Sequence, residues 1–204
     1  QALALDPALK ETVVLSRIVA TVDAVLGAAT LAQHDEARKQ AAFADTLVVT
    51  KTDLAPPSLV EAPLHRLNPQ AALVSAEHGS LDPAHLLPGD DQARMLAKWL
   101  DLAADAEPSH SGDIMSVTLV RSEPVPAIAL TLFLEALAEA CGADLLRIKG
   151  MVQIAEAPET PAVVHGVQHV FHALEWLDNW PSKDRRTRLV LIGRNLTPGW
   201  PRLL

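Results

Sequence analysis

The sequence predicts an α/β protein: an incomplete parallel β-sheet with helices, followed by a small α+β domain with a mainly antiparallel sheet. In the first half, short apolar runs alternate with segments of helical spacing, an order typical of parallel sheets. In the second half, apolar stretches follow one another with few helices between them, which favours antiparallel pairing. A polar stretch with proline and glycine, residues 106–112, separates the two patterns. The predicted domains are 1–107 and 108–204.

The first half is predicted to hold three strands and several helices. Leu47, Val48 and Val49 form an apolar run that is typical of a strand buried on both faces. Pro56 and Pro57 suit the first turn of a helix, and an aspartate such as Asp23 at a strand end is expected to cap the next segment of the chain. The predicted strands are 13–22, 47–49 and 71–74, and the predicted helices are 28–43, 56–67, a short one within 79–87, and 92–104.

The second half is predicted to hold four strands and one helix. Pro126 suits the first turn of a helix that ends at Cys141, with Gly142 as a left-handed cap. Gly150 indicates a bulge or kink within a strand. The predicted strands are 113–120, 145–154, 162–173 and 189–193.

Composition limits the class of protein. With 204 residues, 49% of them hydrophobic, the chain can bury a sizeable aliphatic core. The formal net charge of −8 argues against nucleic acid as a partner, because phosphate binding needs a basic face. No apolar run approaches the length of a membrane span, so no membrane partner is expected. A single cysteine, Cys141, excludes an internal disulfide and suits a reducing compartment, and we expect a cytoplasmic location.

Polar residues follow the most apolar predicted strand, 47–49. Thr50, Lys51, Thr52 and Asp53 lie at its carboxyl end, where nucleotides bind in open α/β sheets. An aspartate there can accept hydrogen bonds from both N1–H and the exocyclic amine of guanine, whereas adenine offers no matching pair of donors. The methylene stem of Lys51 can lie along the flat base while its ammonium stays in water. The pattern indicates a guanine-binding loop; a strand that runs into a helix-capping residue is the alternative.

The same tetrapeptide resembles the Asn-Lys-x-Asp guanine-specificity motif of P-loop GTPases, with Thr50 in place of asparagine. One helix and one strand later the chain has Ser75 and Ala76. In GTPases a Ser-Ala loop at this point presents backbone N–H groups to guanine O6, and small residues let the backbone approach the base. The order of the two loops predicts a guanine site formed by Thr50, Lys51, Asp53, Ser75 and Ala76.

Several segments together resemble one family, the CobW family of GTP-dependent metallochaperones, often called cobalamin-synthesis proteins. The Arg-Ile-Lys-Gly element is fairly specific, and the resemblance covers essentially the whole chain in the right order. The resembling segments are Ile-Val-Ala-Thr-Val-Asp-Ala at 18–24, Gln-Ala-Ala-Phe-Ala-Asp at 40–45, Thr-Lys-Thr-Asp-Leu at 50–54, Leu-Leu-Arg-Ile-Lys-Gly at 145–150, Gly-Val-Gln at 166–168 and Leu-Val-Leu-Ile-Gly at 189–193.

The resemblance implies a P-loop GTPase domain joined to a CobW-type C-terminal domain. Such proteins use GTP and Mg²⁺ to deliver zinc or cobalt to client proteins or to cobalamin synthesis. This sequence has no Gly-x4-Gly-Lys-[Ser/Thr] loop, no Cys-x-Cys-Cys motif and no Glu-x-x-Gly segment, which in family order precede residue 1. We therefore expect guanine recognition and a client-binding or regulatory domain from this chain. We expect no catalytic residue, bound cofactor or hydrolysis from it alone.

Three histidines leave a further interpretation open. On a helix His165, His169 and His172 would share one face. The surrounding valines favour a strand, on which His165 and His169 share a face and His172 points away, so no metal ligand is assigned. A histidine-based metal-binding protein remains an alternative, as does a stand-alone protein-binding module with a vestigial nucleotide loop. An unpaired edge of the incomplete sheet would favour self-association.

Basic and aromatic residues of the second half allow two interpretations each. The basic residues suit either salt bridges within the protein or a docking patch for an acidic partner. The tryptophans suit either the core or a surface that packs against further polypeptide, and Cys141 suits a buried small hydrophobe. The basic group is Arg147, Lys149, Arg185, Arg186 and Arg188, and the tryptophans are Trp176, Trp180 and Trp200.

Overall fold

The structure is a computed structural model that describes residues 17–87, 109–111, 113–167, 170–171 and 174–196. It contains a three-stranded parallel sheet with helices and a seven-stranded sheet that is antiparallel throughout, which confirms the predicted fold class. Within these ranges no helix is long and apolar enough to cross a membrane.

The first part of the chain forms the parallel sheet and its helices. Its elements are β1 (Val19–Asp23), α1 (Gly27–Gln33), α2 (Asp35–Phe43), β2 (Thr46–Thr50), α3 (Ser58–Leu67), β3 (Ala72–Ala76) and a 3₁₀ turn at Pro83–His85. The second part forms β4 (Ser109–Ser111), β5 (Ile114–Arg121), α4 (Ala127–Cys141), a 3₁₀ turn at Gly142–Asp144, β6 (Leu145–Ile154), β7 (Ala157–Val167), β8 (Val170–Phe171), β9 (Glu175–Trp176) and β10 (Thr187–Arg194).

The parallel sheet places three strand ends side by side. β2 lies between β1 and β3, and Leu47, Val48 and Val49 are each less than 5% exposed, as predicted for a strand buried on both faces. Thr50 pairs in register with Asp23 of β1 and with Ala76 of β3. The residues that come after these three strands therefore meet at one edge of the sheet.

Several predicted boundaries in the first half were wrong. The predicted helix 28–43 is two helices, because His34 has an extended backbone (φ −118°, ψ 117°). The break starts α2 with Asp35 and Glu36, which the positive end of the helix dipole favours. The first strand begins at Val19 rather than at 13, and residues 13–16 lie outside the described ranges, as does the predicted helix 92–104. α3 begins at Ser58, two residues after the predicted start, with Pro57 as its N-cap residue.

The seven-stranded sheet has the order β4-β5-β10-β6-β7-β8, and β9 also pairs with β7. One face packs on α4 through Leu130, Phe133 and Leu137, which share a cluster with apolar residues of β5, β6 and β10. The predicted strand 162–173 begins earlier, at Ala157, and ends at Val167 before the short β8. β4 lies within the predicted linker 106–112, where extended backbone pairs with β5 instead of leaving the sheet.

Two glycines have roles that differ from the predicted ones. Gly150 pairs in regular register with Leu189, and the register shifts lie elsewhere, so it is not a bulge. A Cβ there would lie 2.0 Å from the carbonyl oxygen of Arg188, and the close approach of β6 and β10 therefore requires glycine. Gly142 has a positive φ of 48° but a ψ of −122°, which is not the left-handed helical conformation.

A largely buried carboxylate, with its side chain 10% exposed, joins the two sheets. Asp45 precedes β2, and its Oδ2 accepts a hydrogen bond from the Ile18 amide at 2.9 Å. Its Oδ1 accepts from the Arg147 guanidinium and from Lys149 Nζ, which is 3.3 Å away. Arg147, on β6, is only 1% exposed and also donates to the Phe43 carbonyl at the end of α2. One arginine thus binds both α2 and the segment before β2.

The charges at this junction stabilise one another. Burial alone would raise the pKa of Asp45, but the charges of Arg147 and Lys149 outweigh it and hold the pKa well below its usual range. Burial lowers the pKa of Lys149, and the charge of Asp45 opposes that shift. The predicted basic patch therefore makes internal salt bridges at these two positions. The other three arginines also pair with acids: Arg185 with Glu159, and Arg186 and Arg188 with Asp184.

Further contacts surround the Asp45 junction. Arg194 of β10 pairs with Asp35 at the start of α2 and, at 2.9 Å, with Asp113. The pKa of Asp35 falls to about 2, chiefly because Arg194 donates a hydrogen bond to it. Gln70 Nε2 reaches the Val190 carbonyl at 3.4 Å. Apolar residues of both sheets also form one cluster, which includes Leu47, Val60, Leu64, Ile114, Leu146 and Val190.

We predict that Arg147→Met lowers the free energy of unfolding by about 3 kcal/mol or more, because it leaves the buried Asp45 carboxylate with a single cationic partner. The matched control is Arg185→Met, which removes an exposed ion pair with Glu159 and should cost under about 1 kcal/mol. Urea unfolding followed by tryptophan fluorescence measures both values. Equal losses in the two variants would contradict the role of the Asp45 junction.

Candidate functional site

The carboxyl edge of the parallel sheet brings most of the predicted site residues together. Thr50 ends β2, Lys51 and Asp53 come after it, and Ser75 and Ala76 end the neighbouring β3. Ser75 and Ala76 were expected in a loop, but they are the last residues of β3, because Thr50 still pairs with Ala76. Ser75 is exposed and Ala76 is 3% exposed. The predicted guanine site is therefore one continuous edge of the sheet.

Lys51 makes an ion pair that the sequence did not predict. Its backbone has a φ of 59°, and its Nζ lies 2.6 Å from Oδ2 of Asp23 at the end of β1. The other oxygen of Asp23 accepts hydrogen bonds from the amides of Val25 at 2.7 Å and Leu26 at 3.2 Å. Asp23 is thus a cap, as expected, and also a partner of Lys51. The hydrogen bond from Lys51 is the main cause that lowers the pKa of Asp23.

Asp53 is held by the segment after β3. Its Oδ1 accepts a hydrogen bond from the His78 amide at 3.1 Å, and its Oδ2 lies 3.4 Å from Nδ1 of the His78 imidazole. The side chain of Asp53 is 17% exposed, so it lies at the surface of the edge and not inside the core. The amide hydrogen bond is the main cause that lowers the pKa of Asp53. At neutral pH this carboxylate is ionised and can only accept hydrogen bonds.

Two threonines tie the strand ends to one another. The Thr52 hydroxyl donates to the Ala76 carbonyl at 3.2 Å, and the Thr52 amide approaches the same oxygen at 3.5 Å. The Thr50 hydroxyl lies 3.4 Å from the Val22 carbonyl of β1. A threonine at position 50 therefore contacts the adjacent strand, although it lacks the amide group of an asparagine. These contacts fix Asp53 relative to both neighbouring strands.

A tight turn from Glu77 to Ser80 carries His78 over Asp53. The Ser80 amide donates to the Glu77 carbonyl at 2.7 Å, and the two central residues, His78 and Gly79, have φ values of 49° and 74°. Two successive positive φ values are the signature of a type I′ turn. Glycine adopts this conformation freely, and histidine is one of the few other residues enriched in it. The His-Gly pair was the sequence signal for this turn, and the sequence prediction did not use it.

The remaining candidates lie elsewhere. His165 is on β7 opposite Lys149, and its charge helps to lower the pKa of Asp45. This position is at the other end of β2 from the site. His169 and His172 lie outside the described ranges. Among the described residues no group of three or more His, Cys, Asp or Glu side chains could hold a metal ion. Cys141 is half-buried, and burial raises the pKa of its thiol.

Of the two described tryptophans in the second half, one is packed and one is exposed. Trp180 packs against the cluster shared by the two sheets and donates from Nε1 to the Pro158 carbonyl at 3.0 Å. Trp176 on β9 is 49% exposed. Trp200 lies outside the described ranges.

Two family models match the chain, and together they span most of it. Residues 1–75 match the CobW/HypB/UreG nucleotide-binding domain, and residues 114–200 match the cobalamin synthesis protein cobW C-terminal domain. The chain belongs to the CobW family. The matched nucleotide-binding segment contains Thr50, Lys51, Asp53 and Ser75, and Ala76 follows it directly.

One similar curated protein is the zinc chaperone YjiA of Escherichia coli (strain K12), which is 27% identical over 188 residues. That alignment covers 89% of this chain and 57% of YjiA, so the chain spans little more than half of its relative's length. Among solved structures, the zinc-bound YjiA GTPase from E. coli matches with a TM-score of 0.78 at 24% identity, over 99% of this chain and 64% of that one. A zinc-bound triple mutant of the YjiA GTPase matches with a TM-score of 0.77 at 24% identity and the same coverage. The two solved structures establish that the fold is shared.

We predict that Thr52→Val loosens the turn over Asp53, because it removes the hydroxyl that binds the Ala76 carbonyl. Amides of residues 76–80 should exchange with solvent about fivefold faster, the factor that corresponds to the loss of ~1 kcal/mol. Hydrogen exchange read by mass spectrometry measures this. Thr131→Val is the matched control, since its hydroxyl also binds a backbone carbonyl, that of Ala127 at 3.1 Å, but on α4. Unchanged exchange at 76–80 in Thr52→Val would contradict the assigned contact.

Proposed function

We propose that this chain supplies guanine recognition and a client-binding or regulatory C-terminal domain to a GTP-dependent metallochaperone of the CobW family. The family membership supports nucleotide binding by the first part of the chain. The observation that carries the guanine assignment is the Asp53 carboxylate, which is ionised, partly exposed and fixed at the carboxyl edge of the parallel sheet.

The chemistry of Asp53 fits guanine better than adenine. A carboxylate has two oxygens that accept hydrogen bonds and none that donate. Guanine presents two adjacent donors, N1–H and the exocyclic amine, to such a group, whereas adenine presents no such pair. A site built to bind these donors rejects a base that lacks them, because the base would then shield the carboxylate from water without replacing the hydrogen bonds that water supplied.

Lys51 and the end of β3 complete the proposed base site. Lys51 is half-exposed, and its Nζ is anchored by Asp23, which holds the methylene stem across the edge between β1 and β2. An apolar stem in that position can cover one face of a flat base. Ser75 and Ala76 are small, so a base can approach the backbone of β3 closely. Thr50 holds the loop to β1 through its hydroxyl.

Binding of the base, and not of the phosphates, is assigned to this chain. The sequence has no Gly-x4-Gly-Lys-[Ser/Thr] loop, so the residues that bind the triphosphate and Mg²⁺ are assigned to other polypeptide of the full-length protein. Hydrolysis of GTP is likewise assigned to the full-length protein. We propose zinc or cobalt as cargo, with zinc favoured by the similarity to a zinc chaperone, and a cytoplasmic location.

Client binding is assigned to the second domain. The residues of the base edge all belong to the first part of the chain, whereas α4 of the second domain exposes two apolar side chains one turn apart, Ile128 at 65% and Leu132 at 57%. Exposed apolar side chains of this kind form the centre of protein–protein contacts. A metal-requiring client protein is the partner that the family suggests.

We predict that Asp53→Ala in the full-length protein weakens GDP binding by about tenfold or more and leaves ADP binding unchanged, because each lost hydrogen bond to a charged acceptor is worth ~1.5–3 kcal/mol. Isothermal titration with each nucleotide measures both affinities. Glu139→Ala is the control, since Glu139 is an exposed acid on α4, outside the parallel sheet that carries the proposed site. An unchanged GDP affinity in Asp53→Ala would favour the alternative of a binding module with a vestigial nucleotide loop.

A further inference from the structure

One residue, His78, lies against both oxygens of the carboxylate assigned to guanine. The amide of His78 donates to Oδ1 of Asp53 at 3.1 Å, and the imidazole Nδ1 lies 3.4 Å from Oδ2. We propose that His78 is a specificity-determining residue with two opposed roles. Its main chain orients Asp53 for the base, and its ring competes with the base for the second oxygen. This inference rests on the proposed guanine site.

The main-chain contact is compatible with a bound base. A carboxylate oxygen accepts more than one hydrogen bond, so Oδ1 can keep the His78 amide and also accept from the base. The amide is held in place by the turn from Glu77 to Ser80, whose closing hydrogen bond is 2.7 Å long. Because the closed turn holds this amide against Oδ1, the carboxylate is positioned before the base arrives.

The ring contact is not compatible with full use of Asp53 by guanine. The ring approaches Oδ2 from the solvent side, with 81% of its side chain exposed against 17% for Asp53. Guanine must also reach Asp53 from solvent, so the base and the ring need the same space beside Oδ2, although this oxygen can accept more than one hydrogen bond. The ring must therefore rotate away from Oδ2 before both donors can bind, and its exposure allows that rotation without loss of packing.

The charged groups around Asp53 leave the His78 ring as the group that competes with guanine. Lys51 acts on Asp53 from the β2 side and is itself paired with Asp23. Glu77 precedes His78 in the turn. The imidazole of His78 is thus the group that moves toward or away from the Asp53 carboxylate, whereas Lys51 stays paired with Asp23.

Two substitutions at the same position separate the two roles. His78→Gly removes the ring but keeps the amide and the positive φ, which glycine adopts freely. His78→Pro removes the amide donor and fixes φ near −65°, so it abolishes the main-chain contact. We expect His78→Gly to bind GDP about threefold to tenfold more tightly and His78→Pro to bind it about tenfold more weakly.

The experiment is a GDP titration of the full-length protein and the two variants, with His65→Gly as a control for loss of an exposed histidine on α3. Asp53→Ala is measured beside them. Unchanged or weaker GDP binding by His78→Gly would overturn the competing role of the ring, and unchanged binding by His78→Pro would overturn the positioning role of the amide. If Asp53→Ala binds GDP normally, the guanine assignment itself fails. If only the His78 results differ from expectation, the guanine site stands and this inference falls.

Discussion

The largely buried carboxylate of Asp45 is the constraint on which the arrangement of the two sheets depends. It accepts from the Ile18 amide at the entry to β1, and from Arg147 and Lys149 on β6, so it joins both parts of the chain. Such a group is stable only if every partner is in place, because a buried charge without a partner is costly. Arg147 is buried for the same reason: its position is dictated by Asp45 and by the Phe43 carbonyl. The apolar cluster shared by the sheets closes around this polar centre.

The strand that begins beside Asp45 ends at the proposed base site. β2 is buried along its length, with the junction to the second domain before Thr46 and the Thr50–Asp53 loop after it. The second part of the chain is therefore joined to the residue directly before the strand that leads to the proposed base site.

Much of this fold was predictable because the local patterns were strong. The apolar run of 47–49 indicated a strand, and the prolines before α3 indicated the start of a helix; the structure has both elements. The break at His34 and the regular pairing of Gly150 were not predictable, because they depend on Arg194 and on the approach of β10, which are distant in sequence. For the candidate site, motif spacing predicted Asp53 and Ser75, and the structure places both at the carboxyl edge of the parallel sheet. Motif spacing missed the pairing of Lys51 with Asp23 and the contact of His78 with Asp53, because both contacts join strand ends that only the sheet brings together.

The Asp53 carboxylate is proposed to bind the donor edge of guanine, and a change of base tests this proposal more directly than any other measurement. Asparagine at position 53 would present one donor and one acceptor, which matches xanthine, whose N1–H donates and whose carbonyl at C2 accepts, in place of the amine of guanine. Competition titrations of the full-length Asp53→Asn variant with GDP and xanthosine diphosphate measure the preference. We predict a reversal, with xanthosine diphosphate bound about tenfold more tightly than GDP. A variant that still prefers GDP would show that Asp53 does not select the base.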